Sequence, residues 1–431
     1  MMKMLNTRRA LLIACMLFMI KVSDGQSKPV NRIIITNPLK TDRPNELIVL
    51  KRADIEKKTG AIAAGKYVIL KKATGMPLVV QYDDINGDNK WDEVAFLYSF
   101  KPGEQIQLQA VISDAPATIK AMVRAHVRHM RKNSDNTFGP ALDKDTMPVN
   151  AQPTDFSKQA LPPYLTEGPA WENDKVGFRL YFDVRNGNDI WGKTTTAMVM
   201  DEVGVDAAKN YHKQADWGMD ILKVGASLGA GALAMRVPLQ NGKDTLVRLG
   251  GKNIGRVTYE KIADGPVRAM FKMTYANWKV ADNLPAVTVT EVISIWGGAY
   301  FYENKVTVTN APPGSKLVTG IVNLHSKQSH EATTGAYKAL YTYDVQSENN
   351  DKLGMAVIMP AKQVVAMGVT PNANTDVQNT YTVAGNIKNN QPMVYRFYAG
   401  WEQSDNRFTT EEGFRKFLIN EMMNWSKPLS R

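Results

Sequence analysis

The chain has 431 residues, with 53 basic and 42 acidic side chains, a formal net charge of +11 at pH 7 and a single cysteine. This length is enough for one large sandwich or barrel, or for two smaller domains. The basic residues are dispersed and form no Lys/Arg tract, which excludes the clustered basic surface that is typical of nucleic-acid-binding proteins.

Residues 1–25 have the pattern of a secretory signal peptide. Lys3, Arg8 and Arg9 precede an apolar run over residues 10–20 that ends in small and polar residues. The run is short for a membrane span, and no later stretch has the roughly 20 apolar residues that a spanning helix needs. We therefore expect a periplasmic or secreted protein without a transmembrane segment. Removal of the segment takes away four basic groups and one acid, which leaves a charge of +8.

Cys15 lies inside this segment, in a context that also resembles a lipoprotein acylation box, so lipidation at Cys15 stays open as an alternative. If cleavage falls near Gly25, the mature chain has no cysteine. Disulfides, thiolate zinc sites and cysteine nucleophiles are then excluded together. A basic exported protein suits anionic ligands, and we expect an anionic oligosaccharide as the partner; the sequence leaves the oligomeric state open.

Strand patterns dominate the remainder of the chain. Alternating or β-branched runs are separated by clusters of Gly, Pro, Asn and Asp, which predicts an antiparallel all-β fold. We expect a single large β-sandwich domain over residues 26–431, with an N-terminal β region at 26–115 and the main sandwich at 116–431. The predicted strands cover residues 32–36, 67–70, 106–112, 177–184, 286–295, 301–309, 316–324, 355–359, 363–369 and 393–399.

One helix is predicted near the C-terminus. Thr409 and Thr410 precede two glutamates, and Phe414, Leu418 and Met422 recur at helical spacing. Such a helix is expected to cap a sheet. Between the predicted strands, residues 136–165 read as a long polar loop, which is either functional or a passive connection.

An acidic segment lies at residues 84–93. Asp84, Asn86, Asp88 and Asp92 place oxygens at alternate positions, as in a calcium-binding loop. The match is incomplete, because Asn89 stands where such a loop has Gly and Ala95 where it has a bidentate Glu. A metal-free hairpin turn explains the same residues. We favour the hairpin and expect no cofactor, with calcium as the alternative.

Two polar and aromatic segments are the first candidates for a site. Trp171 is placed to stack on a sugar ring, with Glu172 and Asn173 beside it. Arg179 lies in an otherwise apolar strand pattern, and its planar fork suits a substrate carboxylate. A structural salt bridge to Glu172 or Asp183 is the alternative for Arg179.

Histidine is scarce, with five residues in the chain. His212 follows Tyr211 and precedes Trp217 in a polar, aromatic segment, and its near-neutral pKa as a residue type suits proton transfer. A buried, hydrogen-bonded His212 is the alternative. His325 and Trp401 lie near the ends of late strands, where they are candidates for a proton-transfer partner and for a sugar-stacking ring.

The sequence has polar and aromatic motifs at residues 167–173, 176–183, 189–193, 211–212, 216–220 and 398–401. Together these motifs resemble the exported domain-of-unknown-function family 4861, over roughly residues 30–428. The resemblance implies a mutarotase-like β-supersandwich in a companion of polysaccharide-degrading enzymes. Some members are oligosaccharide dehydratases, which remove water from a non-reducing-end uronic acid in ulvan fragments and leave a 4,5-unsaturated sugar.

Dehydration of a uronic acid needs a carboxylate ligand, a base for the C5 proton and an acid for the departing C4 hydroxyl. We assign binding of the substrate carboxylate to Arg179, with Lys193 or Asn173. Proton transfer is assigned to His212 and Tyr211. Adjacent strand residues point to opposite faces, so His212 and Tyr211 act together only in a loop, and His325 is the substitute. Two alternatives remain open: glycoside hydrolysis by a glutamate pair, and non-catalytic glycan binding on three tryptophans. The residues concerned are Glu167 and Glu172 for hydrolysis, and Trp171, Trp217 and Trp401 for glycan binding.

Overall fold

A computed structural model describes residues 31–239, 243–371 and 375–431. The predicted signal peptide and Cys15 lie outside the described residues. The N-terminal elements are β1 Arg32–Thr36, β2 Arg43–Lys51, α1 Arg52–Thr59, β3 Tyr67–Lys72, β4 Gln81–Asp83, β5 Glu93–Phe100 and β6 Gln105–Ser113.

The later part of the chain is also built mainly from strands. Its elements are β7 Ala125–Arg128, β8 Lys144–Thr146, β9 Ala170–Asn173, β10 Val176–Leu180, β11 Asn188–Lys193, β12 Gly218–Asp220, β13 Ala234–Pro238, β14 Asp244–Arg248, β15 Arg256–Ala263, β16 Arg268–Trp278, β17 Val287–Trp296, β18 Phe301–Thr309, β19 Lys316–Val322, β20 His330–Thr334, β21 Tyr337–Val345, β22 Lys352–Pro360, β23 Val364–Val369, β24 Thr380–Asn386, β25 Met393–Trp401 and α2 Glu411–Ser426.

These strands form five sheets. Two three-stranded sheets, in the orders β1-β6-β3 and β2-β5-β4, make up the N-terminal part. A nine-stranded sheet has the order β20-β21-β22-β25-β18-β17-β16-β15-β8, and two five-stranded sheets have the orders β12-β11-β10-β9-β7 and β14-β13-β19-β24-β23. The paired strands run antiparallel throughout, as for β16 with β17 and β10 with β11. The predicted all-β, antiparallel fold class is confirmed.

The main core receives side chains from the nine-stranded sheet and from both five-stranded sheets. Phe178, Phe271 and Leu317, one from each sheet, belong to the same buried apolar cluster. In β17 the residues alternate between buried and half-buried, which is the pattern of a strand with one face on a core. By contrast, every residue of β10 and β11 is buried. The sheet that carries them is therefore covered on both faces.

The N-terminal strands have an apolar cluster of their own, which includes Ile35, Leu70 and Phe96. This part is joined to the rest by polar contacts. Arg268 Nε donates to Asp83 at 2.7 Å, and Arg43 Nη1 donates to the carbonyl of Lys427 at 2.6 Å. The division at residue 115 into an N-terminal region and a main sandwich stays a prediction.

The C-terminal helix α2 begins where the sequence predicts it. The side chain of Thr410 accepts a hydrogen bond from the backbone N–H of Gly413, which caps the helix. Phe414, Leu418 and Met422 are buried against strands of the nine-stranded sheet. Among the described residues, no helix combines the length and the apolar character that crossing a bilayer requires.

Glu291 is an acid in the apolar, inward-facing row of β17, between Val289 and Ile293. It is 3% exposed and accepts a hydrogen bond from Asn304 Nδ2. Burial raises the pKa of Glu291 from its ordinary 4.5 to about 7. The carboxyl group therefore keeps its proton in the folded protein at a pH where it is ionised in the unfolded chain.

This difference predicts a pH-dependent effect of Glu291→Gln on stability. As the pH rises from about 4.5 to about 7, ionisation favours the unfolded state of the wild type and not that of the variant. We expect the variant to melt at a higher temperature than the wild type at pH 8, and the difference to shrink toward pH 5. Thermal melts of both proteins, with exposed Glu331→Gln as control, test this. A difference that is independent of pH would contradict it.

Candidate active site

Several of the predicted site residues lie on or beside the five-stranded sheet that contains β9 to β12. Its antiparallel register places Arg179 of β10 directly opposite Asp189 of β11. Asp220 of β12 pairs with Trp191 of β11, two residues further along the same strand. Because alternate strand residues share a face, Arg179, Asp189 and Asp220 come together on the face of the sheet that loops cover.

The guanidinium group of Arg179 lies between the two carboxylates. Its Nη2 atom is 2.8 Å from Asp189 Oδ2 and 2.7 Å from Asp220 Oδ2, and the side chain is 2% exposed. The hydroxyl of Tyr181 donates to Asp189 at 2.6 Å. The aromatic rings of Tyr181 and Trp191 lie 4.8 and 5.0 Å from the guanidinium carbon. The charge of Arg179 is therefore paired and surrounded by protein.

This environment corrects the role that we predicted for Arg179. A guanidinium that is buried and shared by two carboxylates cannot grip a substrate carboxylate unless these ion pairs break. Removal of one partner of a buried ion pair is strongly destabilising. The salt-bridge alternative also had different partners, because the sequence suggested Glu172 or Asp183 and the structure pairs Arg179 with Asp189 and Asp220.

Tyr211 and His212 lie in a loop rather than in a strand, so both rings reach the same side. Their ring centroids are 4.5 Å apart. His212 Nδ1 is 3.3 Å from Asp220 Oδ2, and the imidazole is 57% exposed. Arg179 Nη1 donates to the Tyr211 hydroxyl at 3.4 Å. The loop thus places an accessible histidine and a tyrosine over the buried charges.

The protonation of these groups follows from their surroundings. Partial removal from water, together with the positive charge of Arg179, lowers the pKa of His212 below its ordinary 6.5. Burial raises the pKa of the Tyr211 phenol. Burial and the adjacent charge of Asp189 raise the pKa of Asp220, whereas the positive charge of Arg179 opposes this rise and favours the ionised form. At neutral pH, the imidazole is therefore free to accept a proton and the phenol retains one.

His325 is connected to the site through Glu348. Its Nε2 atom is 3.5 Å from Glu348 Oε1, and its side chain is 44% exposed. The backbone N–H of Glu348 donates to the carbonyl of Ile221, the residue after Asp220. The negative charge of Glu348 also acts on the pKa of His212, in the direction that raises it. Glu348 therefore stands near both histidines.

Glu172, Asn173 and Lys193 are placed differently from the prediction. Lys193 and Glu172 form an ion pair with both side chains fully buried, and Lys193 Nζ also donates to the carbonyl of Asn173 at 2.8 Å. Asn173 Nδ2 donates to the carbonyl of Trp296 at 2.6 Å. All three polar groups are used inside the protein, so we assign them to the structure of the sheet rather than to substrate binding.

The three predicted stacking rings also differ in accessibility. Trp171 is 1% exposed and packs in the main core, and Trp401 is 2% exposed, with its Nε1 donating to Asp351. Neither presents a face to a ligand. Trp217 is only partly buried, in contact with Trp191, and remains a candidate for a sugar contact.

The structure adds Arg185, which the sequence reasoning missed. It forms ion pairs with two carboxylates: Nη2 lies 2.6 Å from Glu167 Oε1 and 2.5 Å from Asp183 Oδ2, and Nε donates to Asp183 Oδ1 at 3.0 Å. Its guanidinium carbon lies 3.9 Å from the centre of the Tyr181 ring. The side chain is 33% exposed, and Nη1 has no bonded acceptor within the part of the chain that is described. The sequence shows only an Asp-x-Arg turn, Asp183 to Arg185, which is common at protein surfaces.

A separate cavity of about 1310 Å³ lies between the N-terminal sheets and the nine-stranded sheet. Leu47, Lys272, Trp296 and Arg396 are among its lining residues, and none of the predicted catalytic or substrate-binding residues is. We place the candidate site at the Arg179 cluster, because Tyr211 and the exposed His212, the predicted proton-transfer residues, lie directly against it.

The acidic turn connects β4 to β5. Asp84 Oδ1 accepts from the backbone N–H of Gly87, and Asp84 Oδ2 from that of Asn89, both at 2.7 Å. Asp92 Oδ2 accepts from the backbone N–H of Ile85 at 2.8 Å. These carboxylates therefore hold the turn by hydrogen bonds to its own backbone. Within the described residues, no group of three or more acidic, histidine or cysteine side chains is arranged to hold a metal ion.

Comparison with known proteins gives one family and distant relatives. The model of the family "Domain of unknown function (DUF4861)" matches residues 35–430. "Uncharacterized protein P7" of Formosa agariphila is 24% identical over 411 residues, which cover 91% of each chain.

Two solved structures resemble this chain, with low sequence identity and low TM-scores. An alpha-mannosidase from Enterococcus faecalis is 8% identical with a TM-score of 0.49, and the match covers 93% of this chain and 45% of that one. The chain therefore spans less than half the length of the mannosidase. A proposed aldose 1-epimerase from Klebsiella pneumoniae is 7% identical with a TM-score of 0.33, over 70% of this chain and 96% of that one. Similarities this distant bear on neither activity nor substrate.

The hydrogen bonds of the acidic turn predict that calcium chelation leaves the melting temperature unchanged. The turn is closed by hydrogen bonds from its own backbone N–H groups to Asp84 and Asp92, so we expect it to hold its conformation without a cation. Thermal melts with and without a calcium chelator test this. Asp84→Ala is the matched control, because it removes the turn's own hydrogen bonds and should lower the melting temperature in both conditions. A drop caused by the chelator in the wild type would show that calcium binds.

Proposed function

Since the chain belongs to the DUF4861 family, we propose that it is an exported, carbohydrate-active enzyme that acts on oligosaccharides containing uronic acid. The reaction is elimination of water from the non-reducing-end sugar, which leaves a 4,5-unsaturated uronic acid. Ulvan fragments are the proposed substrate class, since the residue motifs resemble those of a family with oligosaccharide dehydratases among its members.

One observation carries the proposal: an accessible imidazole stands beside a phenol at the mouth of a buried charge cluster. His212 is 57% exposed and lies 3.3 Å from Asp220, and its ring is next to that of Tyr211. A base with a pKa near or below neutral and an acid that keeps its proton are the two groups that an elimination requires.

We assign the steps as follows. His212 takes the C5 proton, the C4–O bond breaks as the C4–C5 double bond forms, and Tyr211 donates a proton to the departing hydroxyl, which leaves as water. His212 then returns its proton to the tyrosine through solvent. His325 is the substitute proton donor, because Glu348 links it to the same mouth.

Arg185 replaces Arg179 as the proposed ligand of the substrate carboxylate. Both arginines are paired with two carboxylates, but Arg185 is 33% exposed and can reach a ligand without leaving Asp183 and Glu167, whereas Arg179 is enclosed. Neutralisation of the carboxylate by a guanidinium stabilises the negative charge that develops when the C5 proton leaves. The buried Asp189 and Asp220 hold Arg179 in place, and Asp220 orients His212.

The two alternative functions have less support from the geometry. Glycoside hydrolysis by Glu167 and Glu172 requires two accessible carboxylates, and Glu172 is sealed in its ion pair with Lys193. Glycan binding on Trp171, Trp217 and Trp401 requires exposed rings, and two of the three are buried.

The reaction class is tested with saturated, uronic-acid-terminated oligosaccharides. We expect new ultraviolet absorbance from the conjugated enol ether, together with the mass loss of one water and no shortening of the chain. Absorbance with chain cleavage would identify a polysaccharide lyase instead. Cleavage without absorbance would identify a glycoside hydrolase, and binding without any product a glycan-binding protein.

The role of His212 is tested by His212→Ala. Loss of a general base lowers turnover by about 100-fold or more, and the exposed position of the ring predicts an unchanged melting curve. His330→Ala is the matched control, because His330 lies on β20 and contacts Glu411 of α2. Near-normal turnover in a folded His212→Ala protein would rule out this assignment and make His325 the next candidate.

A further inference from the structure

Arg128 is a buried arginine in β7 whose four hydrogen bonds all go to neutral oxygens. Its Nε donates to the carbonyl of Met200 at 2.9 Å, and Nη1 to the carbonyls of Leu165 and Gly168 at 2.8 and 3.1 Å. Nη2 donates to the hydroxyl of Thr166 at 2.8 Å. The side chain is 0% exposed, and burial lowers its pKa to about 10. A buried charge without a directly bonded carboxylate is costly, so its retention calls for a reason.

The first segment that Arg128 holds is a strained turn at Leu165–Glu167. Thr166 and Glu167 have φ angles of 49° and 68°, in the left-handed region that β-branched residues rarely adopt. The guanidinium binds the carbonyl of Leu165 at the start of the turn, the Thr166 side chain within it and the carbonyl of Gly168 just after it. In this conformation Glu167 reaches Arg185, and the Thr166 carbonyl lies 3.4 Å from Arg179 Nη1.

The second segment is the loop between β11 and β12, at residues 194–217, which carries Tyr211 and His212. Near its start, Arg128 binds the carbonyl of Met200, and Glu172 accepts the backbone N–H groups of Val199 and Met200 at 2.6 and 2.7 Å. The loop also packs directly on the turn, because a Cβ at Gly204 would come within 2.7 Å of the Thr166 methyl group. One guanidinium therefore joins both segments of the site.

We propose that Arg128 is a positioning residue that fixes the Glu167 turn and the Tyr211–His212 loop relative to each other. It contacts no reacting atom, and its role in turnover rests on the proposed function. The arginine fork is required, because it reaches four oxygens in two segments at once, and the single ammonium group of lysine cannot do so.

The test compares Arg128→Lys with the wild type. A small displacement of catalytic groups costs about 100-fold in rate, so we expect kcat to fall by about that factor. KM should also rise, because the displaced turn carries Glu167, the partner of Arg185. Arg268→Lys is the matched control: Arg268 is 5% exposed and bonded to Asp83 and Glu93, away from the site. We expect it to lower the melting temperature and to leave kcat unchanged.

A milder pair of variants serves if Arg128→Lys does not fold. Thr166→Val keeps the shape of the side chain and removes the hydroxyl that Arg128 binds, whereas Thr166→Ser keeps it. We expect Thr166→Val to lower kcat and Thr166→Ser to retain it. Equal kcat values in the two folded variants would overturn the proposal.

A second readout needs no turnover. The five histidines can be titrated by NMR with carbon-13-labelled histidine. The groups that face His212 are Asp220, Arg179, Asp189, Glu167 and Glu348. If Arg128 holds the loop over them, its replacement should move the pKa of His212 toward the ordinary 6.5. An unchanged His212 titration in folded Arg128→Lys or Thr166→Val would overturn the positioning role. A wild type without dehydratase activity would overturn the proposed function, and the titration would still decide the positioning role.

Discussion

The ion pairs between Arg179 and the carboxylates of Asp189 and Asp220 hold a positive charge below the surface of the protein. Such a charge is stable only when its partners are fixed, and here the antiparallel register of β10, β11 and β12 fixes them. The loop with Tyr211 and His212 is placed over this cluster, and Asp220 serves both Arg179 and His212. A shift in the register of β11 or β12 would therefore disturb the buried charges and the exposed imidazole together.

The surroundings of this cluster divide into enclosed and accessible groups. Arg179, Asp189, Asp220 and the Glu172–Lys193 pair are enclosed and have their hydrogen bonds inside the protein. The accessible groups sit on loops and turns at the rim and include His212, His325 and Arg185. This arrangement is common in functional sites, in which rigid strands hold the charges and loops present the reacting groups.

Two energetically costly features lie next to each other beneath the accessible groups. The turn at Leu165–Glu167 is strained, and the guanidinium that holds it has only neutral oxygens as hydrogen-bond partners. Strained backbone persists where the surrounding structure determines it, and it tends to concentrate at functional positions. The enclosed sheet supplies that surrounding structure, since every residue of β9, β10 and β11 is buried.

The sequence alone determined the fold class and the C-terminal helix α2. Strand alternation predicts antiparallel sheets because a half-buried strand needs an apolar face, and the Thr-Glu-Glu cap with Phe414, Leu418 and Met422 predicts α2 because a helix buries one face. It also singled out Arg179 and the Tyr211–His212 segment, which the structure brings into contact. Only the tertiary structure decided which of the predicted site residues are buried. The sequence predicted Trp171, Lys193 and Arg179 as substrate ligands, and all three lie inside the protein. Their partners come from other strands or loops, as Asp220 does for Arg179, 41 residues away in the chain. Local sequence patterns describe neighbours along the chain, whereas pairing across a sheet depends on register, so only the folded structure could show which charges are enclosed and which reach the solvent.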